Sequence, residues 1–112
     1  MKIKPEYTGV WRLTEMSMWD RGYIDLVAPG HLTIKASGRG TFAFGAFEAS
    51  VDCRIERSTG QARLVFTFAG WDEGDEMTGA GCAVARGDTM TGWFAFHLGD
   101  ESTFAAERAR AP

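Results

Sequence analysis

Three observations predict an all-β fold. Glycine makes up 14 of 112 residues while proline supplies only three, a glycine share well above the roughly 7 % ordinary for globular proteins. Eight Phe and four Trp are interspersed among those glycines, which points to short strands joined by tight turns. Apolar residues also recur at every second position in several stretches, the period of a half-buried strand. At this length residues 1–112 are expected to form one domain, large enough to bury a core without disulfides or metal.

Residues 9–16 open the fold, with Trp11 and Leu13 on one face and Arg12 and Thr14 on the other. Over 17–30 the alternation lapses. Met18, Trp19, Tyr23, Ile24, Leu26 and Val27 fall at spacings of three and four, so one short helical turn or wrapping loop is expected, ended by Pro29-Gly30. As the only long connection, this segment is read either as a lid or as a plug for one end of the fold. Residues 31–37 place Leu32, Ile34 and Ala36 inward before a turn at Gly38-Arg39-Gly40. Residues 41–50 carry Phe42 and Phe44 on one face, with a bend or bulge at Gly45. Residues 51–57 set Val51, Cys53 and Ile55 against Asp52, Arg54 and Glu56.

After Ser58-Thr59-Gly60, residues 62–70 point Leu64, Phe66 and Phe68 inward, and 71–76 read as an acidic loop. Residues 79–86 form a small-residue strand with Val84 inward, followed by a hairpin turn at Gly87-Asp88. Residues 89–98 put Met90, Phe94 and Phe96 on one face and Trp93 and His97 on the other. Residues 102–108 end the fold with Phe104 and Ala106 inward. Eight strands paired to their sequence neighbours form an antiparallel meander, and closure of the first on the last, near Arg108, removes both edges. An eight-strand barrel either fills with side chains or holds one small ligand. The Phe-rich inward set predicts a mostly filled interior, with Ala36, Ala80, Gly92 and Ala106 leaving room near one end only.

The net charge is −3 and the basic residues are scattered singly or in pairs, so nucleic acid is not an expected partner. No apolar run follows Lys2 and Lys4, and no stretch approaches 18 apolar residues. A signal peptide and a membrane span are therefore not expected, and a cytoplasmic location with Cys53 and Cys82 reduced is. Without a C-x-x-C these thiols carry no zinc or redox signature, and no cofactor is expected.

Two resemblances attach to these residues. Gly9-x-Trp11 on the opening strand, with Arg108 on the closing one, is similar to the calycin pattern of lipocalins and their relatives. That resemblance implies a calycin-like barrel whose Trp packs at a closed end beneath an Arg of the last strand. The chain also resembles a family of small bacterial β-barrel proteins of unassigned activity. The shared features are Trp11-Arg12-x-Thr14-Glu15-Met16-x-x-Trp19-Asp20, Asp25, Phe42-x-Phe44-Gly45, Asp72-Glu73-x-Asp75 and His97-Leu98-Gly99-Asp100-x-Ser102-x-Phe104. The second resemblance supports the fold and implies no activity.

Three side-chain groups are candidates for function. Arg12, Glu15, Asp20 and Asp25 surround Trp19 and Tyr23; with the 17–30 segment folded over the barrel mouth, and His97 nearby, they have the composition of a small-ligand site. Their structural alternative is an Arg12–carboxylate pair that holds the segment down. Asp72, Glu73, Asp75 and Glu76 offer the oxygen ligands a hard cation takes, although the EF-hand spacing fails at Ala83. His97, Asp100 and Ser102 are the residue types of a hydrolytic triad, but they lie across one turn without a nucleophile elbow. Small-ligand binding or an accessory role is therefore the leading expectation, with a homodimeric interaction module burying Trp71 and Trp93 as the alternative. Weak hydrolysis or metal binding comes third, and an enzyme is less expected than a binding protein.

Overall fold

In the computed structural model, which describes residues 3–58 and 60–109, the sheet closes where Trp11 on the first strand pairs with Arg108 on the last. The elements are β1 (Gly9–Met16), α1 (Arg21–Ile24), β2 (His31–Ile34), β3 (Arg39–Phe44), β4 (Phe47–Ser58), β5 (Gln61–Asp72), β6 (Asp75–Arg86), β7 (Thr89–Phe96) and β8 (Glu101–Arg108). Every strand pairs antiparallel with its sequence neighbours, and β1 with β8, to give a closed eight-stranded barrel. The expected meander, its closure near Arg108 and the single short helix after the first strand are all present. Among the described residues, no helix is long and apolar enough to cross a membrane.

Local turn chemistry moved several boundaries. The chain reverses at Gly45-Ala46 rather than between Ser50 and Val51, so 41–50 is divided between β3 and β4. Gly45 has a φ of 57°; a left-handed residue there closes a tight hairpin instead of bending one strand. The expected acidic loop at 71–76 is largely strand, because Glu73 and Gly74 both take positive φ and a two-residue turn of that kind matches strand twist. β2 stops at Ile34 and leaves Ala36 exposed.

The inward phase of β6 is the opposite of the expected one. Leu64 pairs with Ala83, Phe66 with Gly81 and Phe68 with Gly79, so the odd positions line the interior while Ala80, Cys82 and Val84 face out. The cause is packing. A Cβ at Gly79, Gly81 or Gly92 would come within 3.0 Å of the ring of Phe68, Phe66 or Phe104, respectively. Glycine at these positions gives the rings of the paired strands their space, which accounts for much of the glycine excess and removes the room expected at Gly92.

The interior is solid. Phe42 lies 5.2 to 6.1 Å, centroid to centroid, from Phe44, Phe47, Phe66, Phe68 and Phe94, mostly edge to face. Such pairs are each worth about 0.5–1.5 kcal/mol beyond the area they bury. Of the residues expected inward, Ile55 is half-buried and Val84 faces out, while Phe47, Ile24, Ile3 and Tyr7 join the core.

Both ends are shut by the chain itself. At the β1 start, Ile3 and Tyr7 fold under the barrel. Trp11 is fully buried, donates its Nε1–H to the Tyr7 carbonyl at 2.9 Å, and lies beneath the Arg108 guanidinium, 4.3 Å from the ring centroid. Arg108 also donates to the carbonyls of Thr8 and Glu6 and pairs with Asp88 at 3.2 Å. Gly9, at φ 114°, completes this end, since a Cβ there would sit 3.2 Å from Arg108 Nη1.

Candidate functional site

The opposite end is closed by residues 17–30, and a bulge in β1 prepares their docking. Leu13 pairs with Ala106 and Glu15 with Ala105, so Thr14 is an extra residue. An extra residue reverses the alternation beyond it, which exposes Glu15 and buries Met16. The Thr14 carbonyl accepts from Arg21 Nη1 at 2.7 Å, and the Thr14 hydroxyl donates to the Ala105 carbonyl at 3.1 Å.

A serine clasp begins the segment. Ser17 exchanges backbone and side-chain bonds with Thr103, and the buried Ser102 hydroxyl accepts from Met18 N at 3.1 Å while donating to the Thr103 carbonyl at 2.8 Å. Asp20 then caps α1 by accepting from Tyr23 N at 2.9 Å. This places Ile24 fully inside the mouth. Trp19 stacks on Phe94 at 6.1 Å with an interplanar angle of 8° and lies 4.9 Å from Phe44. Two glycines form the seat: a Cβ at Gly30 would meet Ile24, and one at Gly45 would meet the Tyr23 ring.

Asp25 ties down the far half of the segment. It sits 3.4 Å from both Arg12 and Arg21, and accepts from Gly30 N at 2.9 Å. The structure thus gathers Arg12, Trp19, Asp20, Tyr23 and Asp25 at the mouth, with the charged groups among them, Arg12, Asp20 and Asp25, bonded to the chain. Glu15 and His97 are exposed on the surface.

The remaining candidates are dispersed. His97 and Asp100 stand exposed in the β7–β8 turn, whereas Ser102 is buried and its hydroxyl is committed to the clasp. Strand alternation around the Glu73-Gly74 turn divides the acidic group, with Asp72 and Asp75 paired directly and Glu76 opposite Trp71. Among the described residues, no three His, Cys, Asp or Glu side chains come together as a metal-holding group. The Cys53 thiol is pushed up to about 12 by burial and, secondarily, by the neighbouring Asp52 carboxylate, so it remains a protonated core group. Cys82 is half-buried on the outer side of β6, paired with Trp93.

Trp71 and Trp93, the aromatics named for a homodimer contact, both stand exposed on the outer surface. Trp93, 40 % exposed, stands between two hollows. One is bordered by Thr67, Thr78, Ala80, Ala95 and Leu98, the other by Arg63, Cys82, Val84 and Thr91. Trp71, 54 % exposed, walls a third groove of about 440 Å³ with His31, Thr41, Glu48 and Ser50. The signal in the sequence is a pair of Trp residues at outward strand positions among Ala, Thr and Gly.

Fold and surface together define a class: a solid antiparallel β-barrel, plugged at both ends, with its exposed aromatics on the outside. No protein family, curated protein or solved structure matches the chain.

Proposed function

We propose that this protein is an interaction module, a rigid barrel that works through its outer sheet face rather than through a carried ligand. One contrast supports this reading. The interior and both mouths are occupied by the chain's own rings, while Trp93 stands exposed on a face of small residues. Exposed aromatics on an apolar patch are the composition of a protein contact. The test is site-specific photo-crosslinking in cells, with the crosslinker at position 93 and, as control, at Arg54 on the charged outer face of β4. Adducts from position 93 and none from position 54 are expected. Saturable one-to-one uptake of an apolar fluorescent probe, lost when Trp19 is changed, would instead assign the interior as the working site.

A small-molecule role at the surface is supported by the Trp71 groove, where a flat aromatic wall faces His31, Thr41, Glu48 and Ser50. A metabolite that raises the melting temperature of the native chain but not of Trp71→Ala would favour that role.

A further inference from the structure

We propose that the partner on the Trp93 face is a second copy of this chain, related by a two-fold axis perpendicular to the barrel axis. The acidic end of each barrel then lies beside the basic end of the other. This rests on the interaction reading above and names its partner.

The first support is an uncharged field. Every outward position among 65–69 on β5, 78–84 on β6, 91–95 on β7 and 103–105 on β8 is Val, Thr, Ala, Cys or Trp. The neighbouring outward row on β4 runs Glu48, Ser50, Asp52, Arg54, Glu56, so the field is bounded by charge on that side. Closure of the sheet removes edge pairing as a route to association, which leaves face-to-face packing. Thr and Ala side chains let two sheets approach to the ~10 Å spacing of a packed sandwich.

The second support is shape. Trp93 is a ridge with a hollow on either flank. In an isologous contact the same patch serves both copies, so each indole enters a hollow beside the other. A standard interface takes about 800 Å² from each partner, roughly an eighth of the 6863 Å² surface. The uncharged field is about 19 Å across four strands, and runs about 20 Å along β6, about 13 Å along β5 and β7 and about 7 Å along β8; it supplies the dry centre, and the charged ends complete the area.

The third support selects the axis. The end that holds the Glu73-Gly74 turn and the 17–30 segment carries ten carboxylates, Glu48, Asp72, Glu73, Asp75, Glu76 and Glu101 together with Glu15, Asp20, Asp25 and Asp100, against Arg12 and Arg21. The other end carries Lys4, Lys35, Arg39, Arg54, Arg57, Arg63, Arg86 and Arg108, against Glu6, Asp52, Glu56, Asp88 and Glu107. A two-fold parallel to the barrel axis sets acid on acid. A perpendicular two-fold sets Glu76 and Glu101 of one copy toward Arg86 of the other and toward Arg63, which also pairs with Glu56 of its own chain at 2.8 Å. Complementary ends of this kind fix the register of a contact and weaken with salt.

Sedimentation velocity on the full chain, over a wide concentration range and at two ionic strengths, tests the proposal. A concentration-dependent dimer that weakens as salt rises is expected. Trp93→Glu, at an exposed position, should sediment as a folded monomer, and a bulky maleimide on Cys82 should do the same. Arg63→Glu/Arg86→Glu and Glu76→Lys/Glu101→Lys should each self-associate at least about tenfold more weakly, while their equimolar mixture forms a heterodimer. A monomer at every concentration overturns the proposal, and so does a dimer indifferent to Trp93→Glu. A dimer strengthened by salt, or charge-reversed variants that pair with themselves as well as the native chain does, rejects the perpendicular axis. A photo-crosslinked protein other than this chain at position 93, beside a monomeric purified protein, defeats this inference and leaves the interaction reading standing.

Discussion

Replacing Trp11 by Ala tests the closed end of the barrel most directly. The indole is fully buried, its N–H is bonded to the Tyr7 carbonyl, and its face carries the Arg108 guanidinium at 4.3 Å. Truncating a buried Trp costs about 3–5 kcal/mol through lost transfer energy and the cavity left behind, and the cation–π contact contributes about 0.5–2 kcal/mol to what is lost. Arg108 keeps its bonds to Thr8, Glu6 and Asp88, so no unpaired charge is added, and a loss of about 4 kcal/mol is expected. That is a large fraction of the roughly 5–15 kcal/mol stability of a domain. Trp11→Phe keeps most of the volume and forfeits the hydrogen bond, for about 1–2 kcal/mol. Urea unfolding followed by far-UV circular dichroism, at one fixed protein concentration, reads both without relying on the three remaining Trp. A loss below about 1 kcal/mol for Trp11→Ala, or a Phe variant as unstable as the Ala variant, would refute the account of this end as a tight plug.

Two further outcomes follow from single residues. The fold holds the Cys53 proton up to about pH 12, whereas an unfolded thiol releases it near about 8.5; its contribution is therefore complete below about pH 8.5 and declines above that, by up to ~1.4 kcal/mol per pH unit. Cys53→Ala should be less stable than the native chain at neutral pH, with the gap closing as pH rises from 9 to 11; a constant gap in denaturant melts would contradict this. Gly45→Ala should cost about 2–4 kcal/mol, because it combines a left-handed backbone at φ 57° with a methyl driven into the Tyr23 ring. Adding Tyr23→Ala should recover the steric part, and a single Gly45→Ala variant within about 0.5 kcal/mol of the native chain would remove Gly45 as the seat of the plug.

The barrel was legible because alternation survives in most strands: Leu64-x-Phe66-x-Phe68 and Phe94-x-Phe96 could face only one way once a single core was assumed. What failed was local. Nothing in the run 41–58 announces where it reverses, since Gly45 serves equally as a bulge or as a left-handed turn residue until its partner strand is known. Over 79–86, Cys82 and Val84 are the largest apolar residues, and size ordinarily marks the inward row, so the sequence points to the opposite phase from the one β6 takes. Here the inward row is small because its neighbours are large, a relation between strands that no single strand displays. The mouth was half legible. The pairing of Arg12 with a carboxylate was among the expectations, but the bulge at Thr14 that aims Arg21 and the committed Ser102 hydroxyl have no periodic signal.

β6 joins the packing argument to the functional one. Its sequence Gly79-Ala80-Gly81-Cys82-Ala83-Val84 is small on both faces, which is unusual for a strand, where one large row generally covers the core. On the inside, smallness admits the Phe66 and Phe68 rings and makes the barrel solid. On the outside, smallness sinks the surface around Trp93 and leaves hollows on both flanks. Packing alone requires only the first of these: outward Lys or Glu at positions 80 and 84 would leave the core untouched and would guard the surface against association. The chain instead keeps Ala and Val there and places its charges at the two ends and along β4. A solid core and a bare, recessed outer face on the same strand are what a contact surface requires, rigidity behind it and room in front, and they are the reason to look for function on the outside of this barrel.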